Sequence, residues 1–67
     1  MELTIYQILA ILNTVQGKDK KFKRVNDENF KIFRNEYGEL MYEIDGSKRN
    51  LQIFNYMQDR WILEDKQ

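Results

Sequence analysis

The 67-residue chain contains neither cysteine nor histidine. A domain of this length buries only ~60% of the surface that its unfolded chain exposes, so its stability margin is small. Domains this small commonly gain stability from disulfides or a structural metal. Without these two residue types, disulfides and the usual zinc, haem and iron–sulfur sites are excluded. Stability must therefore come from efficient packing or self-association, and we expect one small domain over residues 1–67.

Composition indicates a globular protein without a dominant charge. Aromatic residues make up 13% of the chain, and 11 basic residues balance 11 acidic ones. A disordered chain would have few aromatics and a large net charge, and a general nucleic-acid coat would have a basic excess. The longest apolar run, residues 8–12, is far shorter than the ~20 residues of a membrane span. The N-terminus lacks the features of a secretion signal, so we expect a cytoplasmic protein that does not bind membranes.

The N-terminal segment has the pattern of a capped amphipathic helix. Thr4 and Gln7 have the spacing of a capping box, in which each side chain accepts a hydrogen bond from a backbone amide of the other residue. Gly17 suits the left-handed conformation that ends many helices. We predict a helix over residues 4–16. Its predicted apolar face contains Ile5, Ile8, Leu9, Leu12 and Val15, widened by Ile11.

The middle of the chain has the apolar alternation of antiparallel strands. We predict strands over 20–25, 29–34 and 39–44, with turns at 26–27 and 35–38. Residues 45–47 are expected to end this meander. The inward residues of the third strand are Leu40, Tyr42 and Ile44, and the large side chains expected in the core are Phe22, Phe30, Tyr42, Phe54 and Trp61.

The C-terminal third fits two patterns. Its apolar residues suit a helix over 48–58 with Ser47 as N-cap, and they also suit a strand in which Leu51 and Ile53 alternate with polar residues. We favour the short helix, followed by a last strand over 60–64 with Trp61 and Leu63 inward. The predicted fold is α+β: an N-terminal helix packed on a three- to four-stranded antiparallel sheet, a short C-terminal helix and a last strand.

The sequence lacks the motifs of common catalytic sites. Ser47 is the only serine, and no cysteine or histidine could activate it or replace it. The glycines are isolated, so no phosphate-binding loop is present, and no acidic run has the spacing of a calcium loop. We therefore expect a protein that is not an enzyme and that uses no cofactor or metal.

Residues 18–24 contain five basic residues and one acidic residue. This segment could contact the phosphate groups of a partner. It could also be a charged edge strand that prevents other sheets from pairing with this one, which is the interpretation we favour. The candidate partner-binding residues of the segment are Lys20, Lys21, Lys23 and Arg24.

A second candidate surface is apolar. Phe33 and Met41 are expected on the sheet face away from the first helix, with Tyr37 in the turn between their strands. Such a patch could be covered by the C-terminal helix or by a second copy, or it could stack RNA bases. Residues 23–30 lack the glycine pattern of RNA-recognition domains, so we favour a covered interface. We expect a homodimer through Phe33, Tyr37 and Met41.

Four short motifs carry a resemblance to known proteins. They are Leu-Thr-Ile-Tyr-Gln-Ile-Leu at 3–9, Gly-Lys at 17–18, Lys-Phe-Lys-Arg at 21–24, and an acidic-Trp-acidic pattern at 59–65. With these motifs the chain resembles small proteins of phages and prophages of low-GC Gram-positive bacteria. One loosely similar group is the Thoeris anti-defence sponges, small oligomeric proteins that sequester a nucleotide immune signal. The chain lacks their Arg/Lys-x-x-Trp strand, so no ligand site is carried over.

The resemblance implies a non-enzymatic anti-defence protein of the bacterial cytoplasm. Such a protein would bind and inhibit an immune component, either a CRISPR-type effector protein or a nucleotide signal. Two alternatives remain open. The chain could be a nucleic-acid-binding regulator that uses residues 18–24, or an accessory phage protein without an inhibitory role.

Overall fold

A computed structural model describes residues 1–51 and 57–64 of the chain. This part contains one helix, α1 (Ile5–Leu12), and five strands: β1 (Phe22–Arg24), β2 (Asp27–Arg34), β3 (Leu40–Ile44), β4 (Ser47–Asn50) and β5 (Trp61–Leu63). The strands form one antiparallel sheet in the order β4-β3-β2-β1-β5. The α+β class is confirmed, and the sheet is larger than the predicted three or four strands.

The predicted capping box is present at the start of α1. Thr4 Oγ1 accepts a hydrogen bond from the amide of Gln7 at 3.2 Å, and Gln7 Oε1 accepts one from the amide of Thr4 at 2.8 Å. The predicted end at residue 16 is wrong, because the Thr14 hydroxyl donates to the Ile11 carbonyl at 2.7 Å and diverts it from helix continuation. Val15 is consequently 81% exposed and does not belong to the apolar face.

Gly17 is needed for a different reason from the one predicted. Its backbone is outside the left-handed region, and the residue is buried beneath the end of α1. A Cβ atom at this position would lie 2.1 Å from the carbonyl oxygen of Ile11. The close approach of two backbone segments, rather than a left-handed cap, therefore requires glycine here.

The hydrophobic core lies between α1 and one face of the sheet. Trp61 meets Phe30 edge to face at a centroid distance of 5.4 Å, and Tyr42 packs at the margin of this cluster. The predicted core positions of Phe22, Phe30 and Trp61 are confirmed, whereas Phe54 lies outside the described residues. The fully buried core consists of Ile5, Ile8, Leu12, Phe22, Phe30, Ile32 and Trp61.

Two residues predicted to face inward are partly exposed at the margins of the sheet. Ile44 is 38% exposed and Leu63 is 43% exposed. The helix that covers the sheet has 8 residues, which gives it a length of only ~12 Å. It therefore covers the centre of the sheet and leaves these strand ends in contact with solvent.

Asp45 and Gly46 continue the sheet instead of ending it. Both residues have positive φ, 51° and 86°, as in the two-residue hairpin turns that Asp-Gly favours. Ser47 then pairs with Ile44 and begins β4, so its predicted role as a helix cap is wrong. The predicted helix over 48–58 is also wrong at both described ends, because 48–50 belong to β4 and 57–58 form a turn. Residues 52–56 lie outside the described residues.

The basic strand β1 is interior to the sheet. It pairs with β2 on one side and with β5 on the other, so the prediction of a charged edge strand is wrong. The cause is a long-range pairing, in which Trp61–Leu63 returns to β1 rather than adding to the end of the meander. Beyond β5, the Leu3 amide and carbonyl each form a 2.8 Å hydrogen bond with Trp61.

No helix in the described part of the chain is long and apolar enough to cross a membrane.

Candidate functional site

The sheet has a second face, directed away from α1, which we call the outer face. Side chains alternate along a strand, so the neighbours of the buried residues Phe22 and Ile32 project to this side. Within residues 1–51 and 57–64, no helix covers it. The outer face consists of Lys21, Lys23, Lys31, Phe33, Met41, Glu43, Lys48, Asn50, Ile62 and Glu64.

A row of charged side chains crosses four strands of the outer face. The register places Lys48 opposite Glu43, Glu43 opposite Lys31, and Lys31 opposite Lys23. Two lysines directly opposite each other repel, so this arrangement is unfavourable unless acids compensate. Glu28 lies 3.0 Å from the Lys23 ammonium and supplies part of that compensation.

The closest ion pair of the outer face joins Lys31 and Glu64. Lys31 Nζ lies 2.6 Å from Glu64 Oε1, and both side chains are about one quarter exposed. The hydrogen bond from Lys31 lowers the pKa of Glu64, and the same bond raises the pKa of Lys31. Both groups therefore remain charged across the physiological pH range.

Phe33 lies at the centre of the outer face between two lysines. The ammonium groups of Lys21 and Lys48 are 5.0 and 5.8 Å from its ring centroid, within the range of cation–π attraction. Met41 is its register partner on β3. The ring is only partly buried, so it remains available to a ligand that displaces these lysines.

A shallow pocket of about 440 Å³ adjoins this ring. Tyr37 stands at its rim on the β2–β3 turn and is 80% exposed. The turn is held in shape by Asn35, whose Oδ1 accepts hydrogen bonds from the amides of Tyr37 and Glu39, each at 2.9 Å. The pocket is lined by Phe33, Asn35, Glu36, Tyr37, Met41 and Lys48. The structure thus brings together the three residues predicted for self-association.

The four predicted partner-binding residues do not form one cluster. Lys21 and Lys23 lie on the outer face, whereas Lys20 precedes β1 and is half-buried. Arg24 is directed to the helix side, where its Nη2 lies 3.3 Å from Asp59 Oδ1 and its guanidinium carbon 5.2 Å from the Phe30 ring centroid. Only two of the four therefore contribute to a common surface.

Arg24 lines a second pocket, of about 620 Å³, near the β1–β2 turn. Its charged lining mixes two basic with three acidic side chains, namely Arg24, Arg60, Glu2, Asp27 and Asp59. Arg24 and Asp59 already neutralise each other in an ion pair. A lining that carries both charges favours neither an anionic nor a cationic ligand.

Two basic residues of the outer face were absent from the predicted set. Lys31 alternates with the buried residues Phe30 and Ile32, and this alternation assigns it to the same face as Phe33, although it was not predicted as a binding residue. Lys48 could be placed only after Asp45-Gly46 is recognised as a hairpin turn, because its register against Glu43 depends on that turn.

Among the described side chains, no group of three or more Asp, Glu, His or Cys residues is arranged to hold a metal ion.

No protein-family model, curated protein or solved structure matches this chain. The resemblance to small phage and prophage proteins therefore depends on the sequence motifs alone.

Proposed function

We propose that this chain is a binding protein that acts without catalysis, by binding a partner through the outer face of its sheet. The observation that supports the proposal is the position of Phe33 on a face that α1 does not cover. A lysine-rich surface surrounds this ring, and an open pocket adjoins it.

The two aromatic residues of this pocket, Phe33 and Tyr37, lie outside the buried core. Tyr37 is 80% exposed on a turn whose shape depends on the Asn35 side chain. Phe33 occupies an outward position that a threonine or lysine would fill without exposing a ring to solvent. Exposed apolar patches rimmed by polar residues commonly mark interaction sites, so these two rings support a binding role.

The charges of the outer face favour an anionic partner. Four lysines share the face with Glu43 and Glu64, and Glu28 pairs with Lys23, which leaves a net excess of one positive charge. Complementary charge of this kind steers association and excludes partners of like charge. The resemblance to phage and prophage proteins supports a component of bacterial immunity as the biological target.

Phage challenge tests this proposal. The chain is expressed in host strains that each carry one defence system, and plaquing efficiency is measured against the empty vector. We expect relief of at least one system, and we expect Lys21→Glu with Lys23→Glu to abolish it while leaving the melting transition intact.

The matched control is Lys18→Glu with Arg60→Glu, which reverses two exposed charges outside the outer face. It should retain activity. If no defence system is relieved, the anti-defence role is wrong. If relief survives the Lys21 and Lys23 double variant, the outer face is not the binding surface.

The homodimer remains a second candidate, because one pocket contains Phe33, Tyr37 and Met41. Burying two such apolar side chains would contribute ~1.5–3 kcal/mol each. The excess of lysines opposes it, since a two-fold contact would bring together two faces of the same net positive charge. Light scattering decides between these effects. A wild-type mass near 8.2 kDa, that of one chain, contradicts the dimer. A mass of twice this value supports the dimer, provided that the Phe33→Lys variant has the mass of one chain.

A further inference from the structure

We infer that the anionic partner of the outer face is a single-stranded nucleic acid, whose bases stack on Phe33 and Tyr37 while Lys21 and Lys48 contact its phosphates. This inference rests on the proposed function, because it assigns a ligand class to the same face.

The rings provide the stacking surfaces. Phe33 lies on the sheet, and Tyr37 projects from the adjoining turn with 80% of its surface exposed. They line one pocket of about 440 Å³, which is within the ~300–1,000 Å³ of small-ligand sites. Every nucleobase has a π-face, so such a pair of rings accepts bases without regard to sequence.

The lysines lie over the ring on which a base would stack, within reach of the phosphates that flank such a base. Lys21, which directly precedes β1, and Lys48 on β4 reach the Phe33 ring from opposite sides of β2, with their ammonium groups 5.0 and 5.8 Å from its centroid. Each can turn from the ring to a phosphate oxygen by rotation of its own side chain. A base can then replace the ammonium groups over the ring without any change in the backbone.

Neither lysine is held by a strong ion pair. Lys21 Nζ is 3.9 Å from Glu43 Oε1, which is the longest ion pair on the described part of the molecule. No described carboxylate forms an ion pair with Lys48. In contrast, Lys31 is held by Glu64 at 2.6 Å. The two cations nearest the ring are therefore the ones most available to phosphates.

The surface distinguishes a single strand from the other anionic partners. Duplex DNA keeps its bases stacked inside, so Phe33 and Tyr37 would have nothing to stack against. An acidic protein would match the lysines, but it would not require two flat rings beside one pocket. A second copy of the chain would bring together two faces of the same net positive charge.

Fluorescence anisotropy with a labelled oligo-dT of ~12 nucleotides tests the inference, using protein up to about 100 µM. We expect saturable binding that is weaker for the duplex of the same length. Two phosphate contacts predict a slope of about −1.4 in log K against log salt concentration, since each contact on a single strand contributes ~−0.7.

Two variants test the stacking. Tyr37→Leu and Phe33→Leu keep an apolar side chain but remove the flat ring, and each should weaken binding by about 5- to 150-fold. Tyr6→Leu is the matched control for Tyr37, because Tyr6 is an exposed tyrosine on α1. Its affinity should equal that of the wild type. Melting curves confirm that each variant is folded.

A charge variant tests the phosphate contacts. Lys48→Gln should weaken binding and reduce the salt slope by ~0.7, which is the contribution of one contact. Lys18→Gln removes an exposed lysine outside the outer face and should leave both the affinity and the slope unchanged.

Three results would overturn the inference. They are the absence of binding at low salt, equal affinity for the duplex, and binding that neither leucine variant weakens. Polyglutamate is included as a probe of an acidic protein surface, and binding of polyglutamate alone would contradict a nucleic-acid ligand. In that case the phage challenge still tests the proposed function. If the Lys21 and Lys23 double variant no longer relieves the defence system, the outer face is still the binding surface.

Discussion

The two faces of the sheet are formed by the same strands but differ in burial and in composition. On the inner face, Phe22, Phe30 and Ile32 alternate with outward residues and are at most 4% exposed beneath α1. On the outer face, lysines and glutamates alternate with Phe33 and Met41, and each of these side chains retains contact with solvent. The difference shows that folding depends chiefly on one face, which leaves the composition of the other available for binding.

The largest expected effect tests this division directly. Ile8 is fully buried, and Ile8→Ala should cost ~2–5 kcal/mol in the free energy of unfolding. A domain this small has only ~5 kcal/mol in total, so the variant should be largely unfolded by circular dichroism. Met41→Ala on the outer face is the comparison and should retain a cooperative melting transition. Similar losses in both variants would show that the outer face also belongs to the core.

Gly17→Ala should have the next largest effect. A Cβ atom would meet the Ile11 carbonyl at 2.1 Å, and Gly17 is buried against the last turn of α1. Forcing extra volume into a tight contact costs ~1–3 kcal/mol. Urea denaturation measures the change in the midpoint. An unchanged midpoint would mean that the 13–19 segment can move away from α1 without loss.

Arg34→Lys should destabilise the link between α1 and the sheet. The guanidinium of Arg34 donates to the Leu12 carbonyl at 3.2 Å, to Asn13 Oδ1 at 2.6 Å and to the Gly38 carbonyl. A lysine keeps the charge but cannot reach three acceptors at once, so we expect a loss of about 1–2 kcal/mol. Thermal melting checks this value. Arg49→Lys, on the exposed strand β4, is the control and should not shift the transition.

The smallest expected effect is a pH dependence of the outer face. The lowered pKa of Glu64 contributes stability that is present above its unfolded pKa of ~4.3 and is lost as the pH falls through the folded value. The raised pKa of Lys31 contributes stability that is present below ~10.4 and is lost as the pH rises through the folded value.

Urea denaturation at neutral and acidic pH should therefore show a smaller acid-induced loss in Glu64→Gln than in the wild type. Equal losses in both proteins would show that the Lys31–Glu64 pair is not the source of the acid sensitivity.

Local signals in the sequence were sufficient for much of the fold. The Thr4–Gln7 capping box, the alternation around Phe30 and Ile32 and the turn with Gly38 were all predicted, because each depends on residues close together in the chain. The end of α1 was missed since hydroxyl hydrogen bonds at Thr14 outweighed the apolar periodicity.

Pairings between residues far apart in the chain could not be predicted from the sequence patterns. Nothing in Trp61–Leu63 specifies that it pairs with β1 rather than with β3 or β4, so the interior position of the basic strand was not foreseen. The candidate site was predicted in part. The alternation assigned Phe33 and Met41 to one face, but the contribution of Lys48 required the hairpin at Asp45-Gly46.

The pairing of β5 also has a consequence for biosynthesis. Trp61 is the largest fully buried side chain, and it belongs to β5, which pairs with β1 on the side away from β2. The ribosome synthesises β5 about forty residues after β1. Leu3, made among the first residues, must wait for the same strand to satisfy its amide and carbonyl. A chain on the ribosome can form the hairpins of β2, β3 and β4 early, but the sheet cannot close on the Leu3 side until residue 61 has left the exit tunnel. Such long-range contacts slow folding, so folding of this domain should be completed only after that point in translation.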